Sequence, residues 1–101
     1  MRDPEFPGVE FRFEWPHPSG NVLMGALSDT SMVWGVRKGC SYPEEQHAQG
    51  HRLTIQRGCG IISICGVEQS YTAGGSFYIG GNVPHGFTRV EEATLVLQED
   101  C

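Results

Sequence analysis

Short segments in which apolar and polar residues alternate recur along the chain, and they predict β-strands. The clearest is "HRLTIQR" (51–57), where His51, Leu53 and Ile55 share one face and the polar residues share the other. The other candidate strands are, in chain order, "VEFRFEW", "NVLMGAL", "SMVWGVRK", "GIISICG", "SFYIGG", "HGFTRV" and "ATLVLQE". "VEQSYTAGG" (67–75) is predicted as a hairpin-like connection. About eight short strands with glycine turns indicate an all-β sandwich or barrel.

Fourteen glycines in 101 residues are about twice the usual share, and they separate the strands instead of forming a repeat. No linker or low-complexity segment divides the chain, so we predict one domain. The first six residues, "MRDPEF", read like the translation of adjacent cloning sites. We therefore expect residues 1–6 to be vector-derived and residues 7–101 to form the domain.

The charge of the chain narrows the range of partners. The formal net charge is −5, and the seven Lys and Arg residues are scattered, which disfavours binding to a nucleic-acid backbone. No signal peptide is visible and no apolar run approaches transmembrane length, so we expect a cytoplasmic protein that does not bind membranes. The four cysteines form no C-x-x-C pair, which disfavours a zinc ribbon, and we expect them to be reduced, with Cys101 exposed.

The polar stretch "EEQHAQGH" (44–51) carries two of the four histidines, and the sequence leaves two conformations open. One is a short helical turn, because Ser41 and Glu44 fit a capping box, Pro43 suits a first helical position and Gly50 suits a C-terminal cap. Against the helix, the stretch has no apolar stripe to bury and is too short to hold a helix without one.

The other conformation is extended, and it brings three histidines to one interior. Glu45, His47 and Gln49 then share a face, since side chains alternate along an extended chain. His51 shares a face with the apolar residues of its own strand, and His85 shares a face with the phenylalanine two residues later. Glu45 is thus a carboxylate on the same face as His47.

The extended stretch resembles the first motif of the cupin superfamily, which runs His-x-His, then Glu, then Gly. Gly58 closes the motif here, and "RLTIQR" separates it from His51. His51 therefore occupies the place usually taken by Glu. His47 falls on the second His of the pair, and Glu45 falls on the first. The ligand types are those of a cupin, with the carboxylate and one imidazole exchanged in position.

"GGSFYIGGNVPHGF" resembles the second cupin motif, which is a glycine, a strand, a Pro-x-Gly turn and a histidine. Gly75 starts it, "SFYI" is the strand, and His85 is the motif histidine. The turn reads Gly80-Gly81-Asn82, and Arg89 stands where the family usually has Asn. The resemblance covers about residues 32–98 and is to small single-domain, RmlC-like cupins.

The resemblance implies a jelly-roll barrel, or double-stranded β-helix, with one metal inside, held by Glu45, His47, His51 and His85. Imidazoles with one carboxylate suit Fe, Mn, Ni, Co or Zn. The implied activity is that of a dioxygenase, isomerase, lyase or cyclase acting on a small oxygenated metabolite. Two alternatives stay open: metal-free catalysis with His51 or His85 as base and Tyr78 as acid, and a ligand-binding module without turnover.

The remaining candidates concern the substrate. Arg57 and Arg89 share strand phases with His51 and His85, so either can hold an acidic substrate group, with solvated strand ends as the alternative. Trp34 is a candidate for the mouth of the barrel, although aromatic residues lie more often in a core. His17, between two prolines in "WPHPSG", is expected to be exposed.

Small cupins pair through edge strands or exchange N-terminal strands, so the resemblance also implies a homodimer. The strand "VEFRF" (9–13) is the candidate for this pairing, because unpaired edges invite a partner strand. The alternative is that it closes its own sheet.

Overall fold

The computed structural model describes residues 1–42 and 44–100, which form an all-β structure as predicted. Nine strands occur in this part of the chain: β1 Phe13–Trp15, β2 Val22–Leu27, β3 Ser31–Val36, β4 His51–Arg57, β5 Cys59–Ile64, β6 Val67–Thr72, β7 Ser76–Ile79, β8 His85–Val90 and β9 Thr94–Asp100. The described residues include no helix long and apolar enough to cross a bilayer. Pro43 and Cys101, which carried the helix-start and exposed-thiol predictions, lie outside the described residues.

Two antiparallel sheets pack face to face. The larger has the strand order β1-β2-β3-β9-β4-β7, and the smaller has the order β6-β5-β8. Apolar side chains of both sheets fill the space between them: Val36, Leu53, Ile55, Ile62, Tyr71, Ile79, Phe87, Val90 and Val96. Side chains alternate between the two faces of a strand, so the central strands place one row in this core and one row outside.

One prediction about a chain segment is wrong, and one pair of open alternatives is resolved. Residues 67–72 form β6 and are not a mere connection. The sequence hides this strand because Tyr71 is its only buried residue, so it lies at an edge without an apolar alternation. Residues 44–50 contain no helix. Glu45 instead forms an isolated β-bridge with His85, so the extended conformation is the one found.

The N-terminal segment forms a second core on the outer face of the larger sheet. Phe6 and Phe11 are each 1% exposed, and their rings meet edge to face with centroids 5.3 Å apart. They cluster with Leu23 and Leu95. Gly35, which pairs with both leucines across the strands, makes this possible, since a Cβ there would lie 3.0 Å from the Phe6 ring. Residues 1–6 therefore take part in the fold, and their vector origin remains a prediction.

Arg37 ties this N-terminal segment to the sheet. Its guanidinium donates to Asp3 Oδ2 at 2.7 and 3.0 Å and to Glu14 Oε1 at 2.9 Å. Burial by itself would raise the pKa of the Asp3 carboxyl. The hydrogen bonds from Arg37 and from the Glu5 backbone N–H outweigh the burial, so the pKa of Asp3 is lowered.

Asp3→Asn is expected to lower the free energy of unfolding by about 1–3 kcal/mol near neutral pH, because Asp3 is only 9% exposed and Arg37 would lose a charged partner. The folded pKa of Asp3 lies below its unfolded value, so this stabilisation is present above the unfolded pKa of about 3.9 and is lost as pH falls through the folded pKa. The difference in the free energy of unfolding is measured by urea unfolding of the parent and the variant, near neutral pH and near pH ~3.

Asp29→Asn, in the exposed turn between β2 and β3, is the matched control and should leave stability unchanged. An Asp3→Asn effect that is equally large at both pH values would argue against the ionised contact as its cause.

Candidate functional site

A cavity of about 360 Å³ opens between the two sheets. All four predicted metal ligands line it, namely Glu45, His47, His51 and His85. The rest of its wall is largely aromatic or sulfur-containing, with contributions from Trp15, Met24, Met32, Trp34, Tyr42 and Phe87. A concave apolar site with a few convergent polar groups is the usual form of a small-molecule site.

Three of the four histidines of the chain come together in this cavity. The ring centroids of His47 and His51 are 5.6 Å apart, and His85 is 5.1 Å from each of them. His51 begins β4 in the larger sheet and His85 begins β8 in the smaller one. His47 reaches them from the loop that precedes β4. The arrangement therefore depends on both sheets and on this loop.

Backbone hydrogen bonds hold the loop against β8. The Glu45 N–H donates to the His85 carbonyl at 2.8 Å, and the His85 N–H donates to the Glu45 carbonyl at 3.0 Å. In the turn before β8, the Asn82 N–H donates to the His47 carbonyl at 2.6 Å. Gly81 permits this approach, since a Cβ there would lie 2.6 Å from the Ala48 carbonyl oxygen. The turn before β8 therefore holds in place the backbone of the loop that carries His47.

Two of the three rings have a defined tautomer. His51 Nδ1 lies 3.2 Å from the Gln49 carbonyl oxygen, and His85 Nδ1 lies 2.9 Å from that of Val83. A carbonyl can only accept, so each Nδ1 carries the proton and donates it. In the neutral ring this leaves the Nε2 lone pair free, which is the arrangement of metal-binding histidines oriented by an outer hydrogen bond.

His51 is nearly fully buried, and its environment favours the neutral form. Burial lowers the pKa of its imidazole, and the neighbouring His85 and His47 rings act in the same direction, against the opposing effect of the Gln49 carbonyl. A neutral imidazole is the form that binds a metal ion.

Glu45 lies between His47 and the fourth histidine. Its carboxylate oxygens are 3.9 Å from His47 Nε2 and 3.6 Å from His17 Nε2. His17 was expected to be exposed, but its side chain is only 19% exposed and lines the cavity. Its ring packs on Tyr42 with centroids 4.9 Å apart, and its Nδ1 accepts a hydrogen bond from the Ser19 N–H. The Nε2–H of His17 therefore faces Glu45.

The donor types fit a divalent transition metal, although the side chains as they stand are not in a closed cage. Within residues 1–42 and 44–100, no group of three or more His, Cys, Asp or Glu side chains is spaced to hold an ion. Imidazole nitrogens bind such an ion at about 2.0–2.1 Å, which places the centroids of two tetrahedrally arranged rings about 5 Å apart. The observed centroid distances of 5.1–5.6 Å are close to that value. The spacing of the three rings is therefore compatible with one shared ion.

Three predicted site residues lie away from the cavity. Tyr78 is 65% exposed on the outer face of β7. Arg57 donates to the Pro7 carbonyl at 2.7 Å, and Arg89 lies at the surface 3.4 Å from Glu91. Both arginines were predicted to share a face with the histidines, but the strand pairing is irregular just before each of them, between β4 and β9 and between β5 and β8. An irregularity of this kind turns the side chains that follow to the other face.

Other cavity residues were missed or only partly recognised. Trp34, the candidate for the mouth of the barrel, lines the cavity. Met32 and Met24 were not singled out, although Met32 shares the strand parity of Trp34 and Met24 pairs with Trp34 across β2 and β3. Gln98 lines the cavity from β9, beside Met32. Strand parity could have found Met32, whereas Gln98 depended on knowing that β9 lies between β3 and β4.

Solved structures with the same fold are known. A cupin-like protein of Thermotoga maritima superposes with a TM-score of 0.77 at 19% identity, covering 94% of this chain and 80% of that one. An RmlC-like cupin of Shewanella frigidimarina gives 0.71 at 20% identity, over 92% and 84%. A predicted oxalate decarboxylase of Thermotoga maritima gives 0.71 at 16% identity, over 80% of both chains. No family model and no curated protein sequence matches the chain.

Proposed function

We propose that this chain, which has the fold of small cupins, is a metal-dependent enzyme that acts on a small oxygenated metabolite within the barrel. The observation that carries the proposal is the convergence of three imidazoles within 5.1–5.6 Å of one another at a cavity of about 360 Å³. Two of these imidazoles have Nδ1 on a backbone carbonyl, which leaves their Nε2 atoms available.

In this proposal His47, His51 and His85 supply three neutral nitrogen ligands, and Glu45 supplies a carboxylate. A bound Fe, Mn, Ni, Co or Zn ion would act as a Lewis acid or as a platform for dioxygen. His17 is placed to hold the Glu45 carboxylate by its Nε2–H. The aromatic wall keeps water from surrounding the substrate, which strengthens electrostatic interactions at the imidazoles.

Metal-free acid–base catalysis is less well supported, because its proposed acid, Tyr78, is exposed on the outside of β7. A binding module without turnover has no observation in its favour beyond the cavity itself. The reaction type, the metal and a homodimeric state remain predictions. Of the candidate pairing strand "VEFRF", only Phe13 lies in β1, which pairs with β2 at the edge of the larger sheet.

Metal content is the measurement that tests the proposal. Protein purified without a histidine tag or chelator, and then reconstituted with each of the five metals, should bind about one ion per chain. His47→Ala and His85→Ala should each lose most of it, since removing one ligand leaves too few donors. Glu68→Ala, on the exposed strand β6 away from the histidines, is the control and should retain the ion.

A parent protein that binds none of the five metals would overturn the proposal. Retention of the ion by His85→Ala would also overturn it, since the three rings would then not share one site. Glu45→Gln tests whether the Glu45 carboxylate binds the metal ion or only lies beside it. We expect metal affinity to fall by about tenfold or more, within the range seen when carboxylates around a metal site are changed.

A further inference from the structure

The cavity wall indicates what kind of molecule would fit beside the imidazoles. Met24, Met32 and Trp34 come from adjacent strands of the larger sheet, and Leu53 continues the face that His51 begins. Phe87 closes the wall from the smaller sheet, with its ring edge to face with Trp34 at 5.6 Å. A molecule in the cavity would therefore meet a continuous apolar and aromatic surface.

Gln98 is a polar group within this apolar wall. The indole Nε1–H of Trp34 donates to Gln98 Oε1 at 3.1 Å. That bond fixes the orientation of the amide, so the Nε2 end is the one left to act as a donor. Among the described residues, Gln98 Nε2 has no hydrogen-bond partner, and Gln98 lines the cavity. The pair thus presents a donor to a molecule in the cavity.

The distance between Gln98 and the histidines sets the size of a molecule that can contact both. Gln98 pairs with Leu53 across β4 and β9, one position along the same face from His51. Diagonal neighbours on one face of a sheet are about 7–8 Å apart. A molecule of one ring, or of similar size, can therefore touch the imidazoles at one end and Gln98 at the other.

The charged residues around the cavity argue against recognition of an anionic group on the ligand. The described residues that line it include no lysine or arginine, and Glu45 is their one carboxylate. Arg57 and Arg89, the candidates for an acidic substrate group, lie outside. A carboxylate or phosphate away from the imidazoles would therefore be desolvated without a cation to compensate it, which is costly.

We propose that the cavity takes an uncharged molecule with an apolar ring or branched body and an oxygen acceptor that receives a hydrogen bond from Gln98 Nε2. This inference rests on the proposed function only where an oxygen of the ligand is placed at the imidazoles. The preference for an apolar body and an acceptor belongs to the cavity wall, so it can be measured without metal.

The three methionines of the chain provide the measurement. Met24 and Met32 line the cavity, whereas Met1 lies at the exposed N-terminus and serves as an internal control. Metal-free protein labelled with ¹³C at the methionine methyl groups is titrated with acetophenone, which has a ring and a carbonyl acceptor. Ethylbenzene tests the ring without the acceptor, and glycerate tests a small polar anion.

We expect acetophenone to shift the Met24 and Met32 methyl signals but not that of Met1, with about fivefold tighter binding than ethylbenzene, as one hydrogen bond allows. Gln98→Leu should remove this preference and leave the affinity for ethylbenzene unchanged. Gln98→Glu keeps the acceptor for Trp34 but loses the donor, so it should also remove the preference. Gln69→Leu, on the exposed strand β6, should behave like the parent.

Tighter binding of glycerate than of acetophenone, or shifts that include Met1 equally, would overturn the inference. An acetophenone preference that survives both Gln98 variants would overturn the role of Gln98. These outcomes are independent of metal. A chain that binds no metal but prefers acetophenone through Gln98 would refute the proposed function and leave the ligand class standing.

Discussion

Addition of the correct divalent metal to metal-free protein is expected to raise the midpoint of thermal unfolding by about 10–20 °C. A ligand that binds only the folded state stabilises it by about 2.7 kcal/mol when its concentration is one hundred times the dissociation constant, and a domain of this size shifts by about 4–8 °C per kcal/mol. The reason for expecting tight binding is that the imidazoles of His51 and His85 are already oriented by backbone carbonyls. Differential scanning fluorimetry with Fe, Mn, Ni, Co and Zn in turn measures the shift.

His85→Ala and His51→Ala should abolish this shift, and excess chelator should reverse it in the parent. Glu68→Ala, on the exposed strand β6, should keep the shift, which separates loss of the site from a general effect of substitution. If none of the metals changes the midpoint of the parent, or if His85→Ala responds as the parent does, the three rings do not form one metal site.

Phe6→Ala is expected to lower the free energy of unfolding by about 3–5 kcal/mol, as is usual when a buried phenylalanine is truncated to alanine. Phe6 is 1% exposed and packs on Phe11, Leu23 and Leu95 at the outer face of the larger sheet. Domains of this size are stable by about 5–15 kcal/mol, so the loss is a large share of the total. Urea unfolding monitored by tryptophan fluorescence measures it.

Phe13→Ala is the matched control, because Phe13 is 40% exposed on the edge strand β1. We expect it to cost about 1 kcal/mol or less. A Phe6→Ala variant as stable as the parent would mean that residues 1–6 are not part of the folded unit. Removal of residues 1–6 should then also be neutral, whereas we expect it to be at least as damaging as Phe6→Ala.

Most of the strands, and the positions of His51 and His85 on them, could be predicted because both depend on local alternation. His47 lies in the loop before β4, outside any strand. In β4 and β8, the predicted bounds match the observed ones, and His51 and His85 lie at the strand starts that their parity indicated. The alternation of side chains between the two faces of a strand breaks where the strand pairing is irregular. No local pattern in the sequence reveals such a position. For that reason Arg57 and Arg89 were expected on the wrong face.

Other parts of the site depend on contacts between distant segments. His17 approaches Glu45 because the turn between β1 and β2 packs against Tyr42, whose hydroxyl donates to the Gly20 carbonyl at 2.9 Å. Phe6 is buried because Gly35, far along the chain, leaves room for its ring. The sequence contains both residues but carries no periodic signal that joins them to their partners.

The last strand in chain order, β9, lies in the middle of the larger sheet, between β3 and β4. Ser31 of β3 pairs with Glu99, and His51 of β4 pairs with Asp100, so both pairings span long stretches of chain. Before β9 is in place, β1-β2-β3 and β4-β7 are separate ribbons with no shared edge. Contacts between distant residues form slowly because loop closure costs entropy before they are made. The wall that carries Gln98 therefore exists only once both long-range pairings of β9 have formed.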